Sequence, residues 1–138
     1  MRRLNELRVG GVTCGARDLV TAAPLSWSDS LAAAAQLQSR EMALLDRMGH
    51  RDREDRALAQ RLRALGYRFS AAVENVAVGY PSLDDVVAAW LESEGHCDNL
   101  MNAAVLEFGL ACMDGRSSGA PEDRRYWTLV LGAPAHSR

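Results

Sequence analysis

Apolar positions recur along this chain with two different periods. Between Ser28 and Gly49, the residues Leu31, Ala34, Ala35, Met42 and Leu45 return to one helical face, and Gln38 interrupts the stripe. Ser28 is placed to cap this long helix, because its oxygen can accept from the orphaned N–H groups of the first turn. Gly49 is placed to stop it, so His50 stands just past a helix C-terminus, where the dipole favours a cation. A shorter stripe of Leu58, Leu62 and Leu65 predicts a second helix from about Asp55 to Leu65, terminated by Gly66. Ahead of these, Leu4 to Val9 reads as a short helix ended by Gly10 and Gly11. Residues 10–24 read as a loop rich in Gly and Thr.

The period then shortens. The run 73-VENVAVG-79 is β-branched and alternating, which predicts a short strand or extended segment with the acid Glu74 inside it. Next, 82-SLDD-85 reads as a capping box for a helix that turns Leu83, Val86, Val87 and Trp90 inward. After 93-SEGH-96 there is room for a short helical turn through Met101, with Asn99 helping to hold it. Two strands close the chain. In 104-AVLEFGLACM-113, Leu106, Phe108, Leu110 and Cys112 share one face while Glu107 and Gly109 take the other. In 126-YWTLVLG-132, Trp127, Leu129 and Leu131 alternate with Tyr126, Thr128 and Val130. The Gly/Ser/Pro-rich link over 114–125 suits a hairpin with a long loop. Helices first and paired strands last describe an α+β domain.

Composition narrows the function more than the fold. The chain has 138 residues, 48% hydrophobic and 25% charged, an ordinary globular mix for a single domain, here over 1–133 with a tail at 134–138. Sixteen Lys and Arg against 18 Asp and Glu leave a net charge of -2. Nucleic-acid binding needs clustered positive charge, so no nucleic-acid partner is expected. The run 51-RDREDR-56 alternates in sign and reads as a solvated helix start. No apolar segment reaches the length of a membrane span. The opening 1-MRRLNELRV-9 has basic residues but no apolar region behind them, so the protein is cytoplasmic or its export signal lies outside this chain.

His50 and His96 each follow a glycine at the edge of a regular element, whereas His136 lies in a polar tail. Glu74 is a carboxylate in an apolar run, and burying it alone is costly. A cluster of His50, Glu74 and His96 would give it partners. Two imidazoles and one carboxylate are also the ligands of a zinc site with an open position. Spacing alone favours a plainer arrangement, with Glu74 at a strand edge and both histidines bonded locally. A Ser93–His96 pair lacks an acid and a nucleophile elbow, and adjacent His96 and Cys97 point apart. Three readings compete for Cys97: a small buried hydrophobe, a metal ligand, or a disulfide to Cys14 in the loop 12-VTCG-15. Such a bridge would close a loop of some 80 residues, on the order of 4 kcal/mol of stabilisation. Cys112, on an apolar strand face, reads as a free buried thiol.

Taken in order, 48-MGH-50, 74-ENVAVG-79, 90-WLESEGHCDNLMN-102 and 126-YWTLVLG-132 resemble the CAP superfamily in its bacterial branch. This is the SCP-domain group of cysteine-rich secretory, antigen-five and pathogenesis-related proteins. The resemblance runs from 4-LNELR-8 to Gly132. It implies an α-β-α sandwich, with a small antiparallel sheet between helical layers and a shallow groove over the sheet. It places His50, His96 and Glu74 in that groove, able to hold Zn2+ or another divalent cation, with Glu74 as the candidate catalytic group. The family's second acid falls at Ser93, flanked by Glu92 and Glu94. Departures are Ala72 and Val73 ahead of Glu74, Glu94 in place of proline, and Leu131 in place of phenylalanine.

The resemblance further implies a secreted or periplasmic monomer with a Cys14–Cys97 bridge; the alternative is cytoplasmic. The function it implies is binding or interaction with a protein, lipid or cell-wall ligand. The alternatives are a metal-dependent hydrolase of peptide, ester or cell-wall substrates, and a lipid- or sterol-binding protein.

Overall fold

The alternating run near the C-terminus becomes the central strand of the molecule. In the computed structural model, which describes residues 2–115 and 124–136, β4 (Arg125–Pro134) is hydrogen-bonded on both sides. It pairs antiparallel with β3 (Glu107–Asp114), Phe108 opposite Leu131, and with β2 (Phe69–Val78), Glu74 opposite Val130. A two-residue strand, β1 (Ser26–Trp27), joins β3 in parallel, giving the order β1-β3-β4-β2. The sheet is therefore mixed, not wholly antiparallel as expected, and β2 forms one of its edges. The class is α+β, as the element order indicates.

Helices cover both faces. On one side α1 (Arg2–Gly10), α4 (Leu83–Glu92) and α5 (Glu94–Leu100) pack through Leu4, Val86, Val87, Trp90 and Leu100 against Phe108, Trp127, Leu129 and Leu131. On the other, α2 (Asp29–Leu45) and α3 (Leu58–Ala64) pack through Leu31, Ala34, Ala35 and Leu62 against Tyr67 and Val130. This is why residues 126–131 are buried on both alternating sets. Thr128, fully buried, meets the Ser39 hydroxyl at 2.8 Å, so its polarity is satisfied beneath α2. The helix crosses the sheet directly over Gly109. A Cβ there would lie 2.0 Å from the Ala32 nitrogen, so any side chain would push α2 off β3.

Several local expectations change. Ser28 does cap α2, accepting from the Leu31 N–H at 3.2 Å. The helix stops at Leu45, because Asp46 turns left-handed (φ 52) and its N–H bonds back to the Met42 carbonyl. Gly49 is therefore not the terminator, and Leu45 is exposed. A short polar side chain tolerates this conformation, and Asp46 Oδ1 also accepts from the Tyr126 hydroxyl.

The run 51–56 is not a helix start; α3 begins at Leu58, and Leu65 is exposed. The run instead wraps Asp52, whose carboxylate collects the N–H groups of Glu54 and Arg56 and the Arg56 Nε. Cys112 is a free thiol but exposed, and Leu106 precedes β3 and is exposed as well. In the β3–β4 link, residues 116–123 lie outside the described residues. Among the described residues, no helix is long and apolar enough to cross a membrane.

Candidate functional site

Because β2 is an edge strand with both faces covered, its alternation sends neighbouring side chains into different layers. Glu74 points toward α3. Its carboxylate is buried and accepts from Arg61 Nη2 at 2.7 Å on each oxygen, while His50 Nδ1 lies 3.0 Å from Oε1. The lone carboxylate thus has both a cation and an imidazole. His50 is carried by the loop after α2, and Gln38 anchors that loop. Gln38 Nε2 donates to the carbonyls of Gly49 and Arg51, at 2.8 and 3.2 Å, on either side of the histidine. The one polar residue in the apolar stripe of α2 is the one that sets His50.

Asn75 points the other way, toward α5. It is fully buried, and its Nδ2 donates to the His96 carbonyl at 3.1 Å. Asn99 Nδ2 in turn donates to Asn75 Oδ1 at 2.9 Å and to the Glu74 carbonyl at 3.3 Å. Asn99 therefore ties α5 across to β2 and does more than hold its own turn. The His96 ring is half-buried, with Nδ1 3.0 Å from Ser93 Oγ. Burial, and then repulsion from a charged His50, hold its pKa below the usual histidine value.

Beneath α5, Cys97 is buried in a disulfide to Cys14, which settles the three readings of that cysteine. The same loop contributes Arg17, which pairs with Glu94 at 3.1 Å and with Asp98. Gly15 turns left-handed (φ +64), and a Cβ there would come within 2.9 Å of the Glu94 carboxylate. Glu94 accordingly faces the N-terminal loop. Of the three residues considered for the second acid, Ser93 is the one that meets His96; Glu92 is exposed.

Beside His96 lies a hollow of about 250 Å³ lined by Met48, Val76, Tyr80, Trp90, Ser93 and His96. Trp90 Nε1 donates to the Val76 carbonyl, fixing α4 along the strand edge. Among the described residues, no three His, Cys, Asp or Glu side chains converge as a ligand set for a metal ion. The oxygens of Glu74 are themselves committed to Arg61 and His50. Each histidine uses Nδ1 on a protein partner, which leaves Nε2 as the atom able to bind a ligand. Sequence reading missed Arg61, the Gln38 anchor and the Asn75 bridge. The available signal was the cost of a lone buried Glu74, which calls for a cation on a neighbouring helix.

Solved structures of low identity share this fold. An outer surface protein of Borrelia burgdorferi superposes with a TM-score of 0.76 at 19% identity, covering 97% of this chain and 89% of its own. An SCP-domain extracellular protein of Bacillus anthracis gives 0.68 at 24% identity over 81% of this chain and 34% of its own. In sequence, the YkwD protein of Bacillus subtilis is 26% identical over 112 residues, which is 81% of this chain. The chain spans 44% of the length of that curated relative. The family model of the cysteine-rich secretory proteins matches residues 1–131, nearly the whole of the described fold, and the chain belongs to this family, the CAP proteins.

Proposed function

We propose that this domain works outside the cytoplasm as a ligand-binding module whose groove presents two imidazoles, His50 and His96, at the open edge of β2. The observation that carries this reading is the commitment of each Nδ1 to a protein partner, Glu74 for one ring and Ser93 for the other. A divalent cation such as Zn2+ would be held by the two Nε2 atoms. Glu74 would orient His50 as a carboxylate behind a metal-bound histidine, an arrangement that raises ligand basicity. A bound cation would polarise a carbonyl or phosphoryl oxygen of the ligand. The depressed pKa of His96 supports this role, because a neutral ring is the form that binds metal. A disulfide is typical of an oxidising compartment, and relatives described as outer-surface and extracellular support the same placement.

The hydrolase alternative needs Glu74 as a free base. Its double contact with Arg61 weighs against that role, and Ser93 brings a hydroxyl where a second acid would stand. Calorimetric titration with zinc tests the reading. Wild type should bind, and His50→Ala and His96→Ala should each lose most of the affinity. Tight binding that persists in His96→Ala would reject the site. Peptide, ester or cell-wall turnover abolished by Glu74→Gln in a folded variant would favour the hydrolase.

A further inference from the structure

The hollow beside His96 lies at a gap in the hydrogen bonding of β2. The register of β2 on β4, continued by the Gly79 N–H to the Arg125 carbonyl, turns the main-chain groups of Glu74, Val76 and Val78 outward from the sheet. Two of these carbonyls are taken, that of Glu74 by Asn99 Nδ2 and that of Val76 by Trp90 Nε1. At Val78 neither the N–H nor the carbonyl has a partner among the described residues. Val78 is half-buried and lines the hollow, and main-chain groups in such a position are normally paired. The lining is otherwise mostly apolar. Val76, Ala77 and Trp90 are buried, Met48 and Ser93 are exposed, and no Asp, Glu, Lys or Arg side chain borders the space.

We propose that this edge of the groove takes an extended peptide, added as a short strand beside β2, with one aromatic or branched aliphatic side chain in the hollow. One ligand residue exchanges both main-chain hydrogen bonds with Val78: the Val78 N–H donates to its carbonyl, and the Val78 carbonyl accepts from its N–H. The Val78 side chain packs toward Met42 and Tyr126 beneath α2. By strand alternation, the ligand residue next to the paired one therefore turns its side chain to the α4 side, where Ala89 and Trp90 line the hollow. Volume limits what enters. A benzene ring fits a cavity of about 150 Å³, whereas a whole drug-sized ligand needs about 300 Å³ or more. At about 250 Å³ the hollow holds one side chain of a longer molecule and is too small for a sterol or a long acyl chain. Its uncharged lining favours an apolar group over a charged one. The proposal rests on the groove being a binding site and adds the class of its ligand; it needs no metal in the groove.

The test is an NMR titration of the full chain, without added metal, with acetyl-Ala-Phe-Ala-amide. The Val78 backbone amide, the Trp90 indole N–H and the His96 ring should shift saturably. Two controls should each bind about tenfold more weakly. One is acetyl-Ala-Ala-Ala-amide, which lacks the side chain for the hollow. The other is the Phe peptide with both alanines N-methylated, which lacks the N–H for Val78. Ala89→Leu, on the α4 side of the hollow, should abolish the shifts while keeping a folded spectrum; Met48→Trp replaces it if that variant does not fold. Absence of any saturable shift would overturn the proposal. Equal binding of the N-methylated peptide would overturn the strand pairing. Decanoate moving the same signals as tightly as the peptide would make the hollow an acyl pocket and overturn the peptide assignment. Shifts that survive the filling variants would place the peptide elsewhere and overturn the site. The zinc titration is read separately. Peptide shifts in a protein that binds no zinc would reject the two-imidazole cation site and keep this one, and zinc binding without peptide shifts would do the reverse.

Discussion

The two histidines of the groove are held in opposite ways. His50 hangs on charge: a buried Glu74 stands between its ring and the Arg61 guanidinium, and Gln38 pins the carbonyls on either side. His96 rests on neutral and covalent links, a chain of two asparagine amides to β2 and a disulfide beneath its helix. One half therefore depends on electrostatic pairing within the fold. The other depends on oxidation and on a loop from the far end of the chain. The same groove should fail differently according to which half is struck.

The largest effect is expected on the charged half. Arg61→Leu leaves Glu74 as a buried carboxylate with only an imidazole beside it, and removing one partner of a buried ion pair costs about 3–5 kcal/mol. Replacing both residues, Arg61→Leu with Glu74→Leu, should recover much of that loss, because the desolvation of two charges is then avoided. Urea unfolding of the three proteins measures this. A double variant as unstable as the single one would mean that the pair contributes to stability beyond compensating its own burial.

The unequal legibility of the two halves has the same origin. The α5 half could be read in the sequence, because its parts are contiguous: His96, Cys97 and Asn99 lie within four positions, and their register follows from one helical turn. The strands were legible for a similar reason, since alternation over 126–132 survives burial on both faces. The charged half was legible only as a debt at Glu74. Its partner Arg61 sits on α3 in a row of arginines, and nothing local separates it from Arg63, which is exposed. Likewise Gln38 looked like a flaw in an apolar stripe until the loop over 46–57 folded back onto it. Helix ends misled where Asp46, and not a glycine, took the left-handed turn.

A smaller effect is expected from opening the disulfide. Cys14→Ser with Cys97→Ala should lower stability by about 2–4 kcal/mol, from the entropy returned to an unfolded chain no longer closed over 83 positions. The signature that distinguishes the halves is local. In hydrogen exchange, residues 12–22 and α5 should lose protection, while His50 and α3 keep theirs. Equal loss across both halves would show that the groove is one cooperative unit and that the division drawn between them does not hold.

The smallest effect is on pH, and it separates the halves by window. His96 is held below the usual histidine value of about 6.5 by burial and by His50. The unfolded chain therefore takes up this proton before the folded one does. Stability from the neutral ring is complete above about pH 6.5 and is lost as pH falls through the folded pKa. Asp52, in the loop that carries His50, shows the same sign in a lower window. Burial pushes its carboxyl up, but the N–H groups of Arg56 and Glu54 and the Arg56 guanidinium hold it below the ordinary range. Its contribution is complete above about pH 3.9 and fades only under stronger acid. Acidification should thus loosen α5 first and the loop over 50–56 second, seen as successive changes in their backbone amide signals. His96→Gln should remove the first step and leave the second. If the first step persists in that variant, the imidazole is not its source.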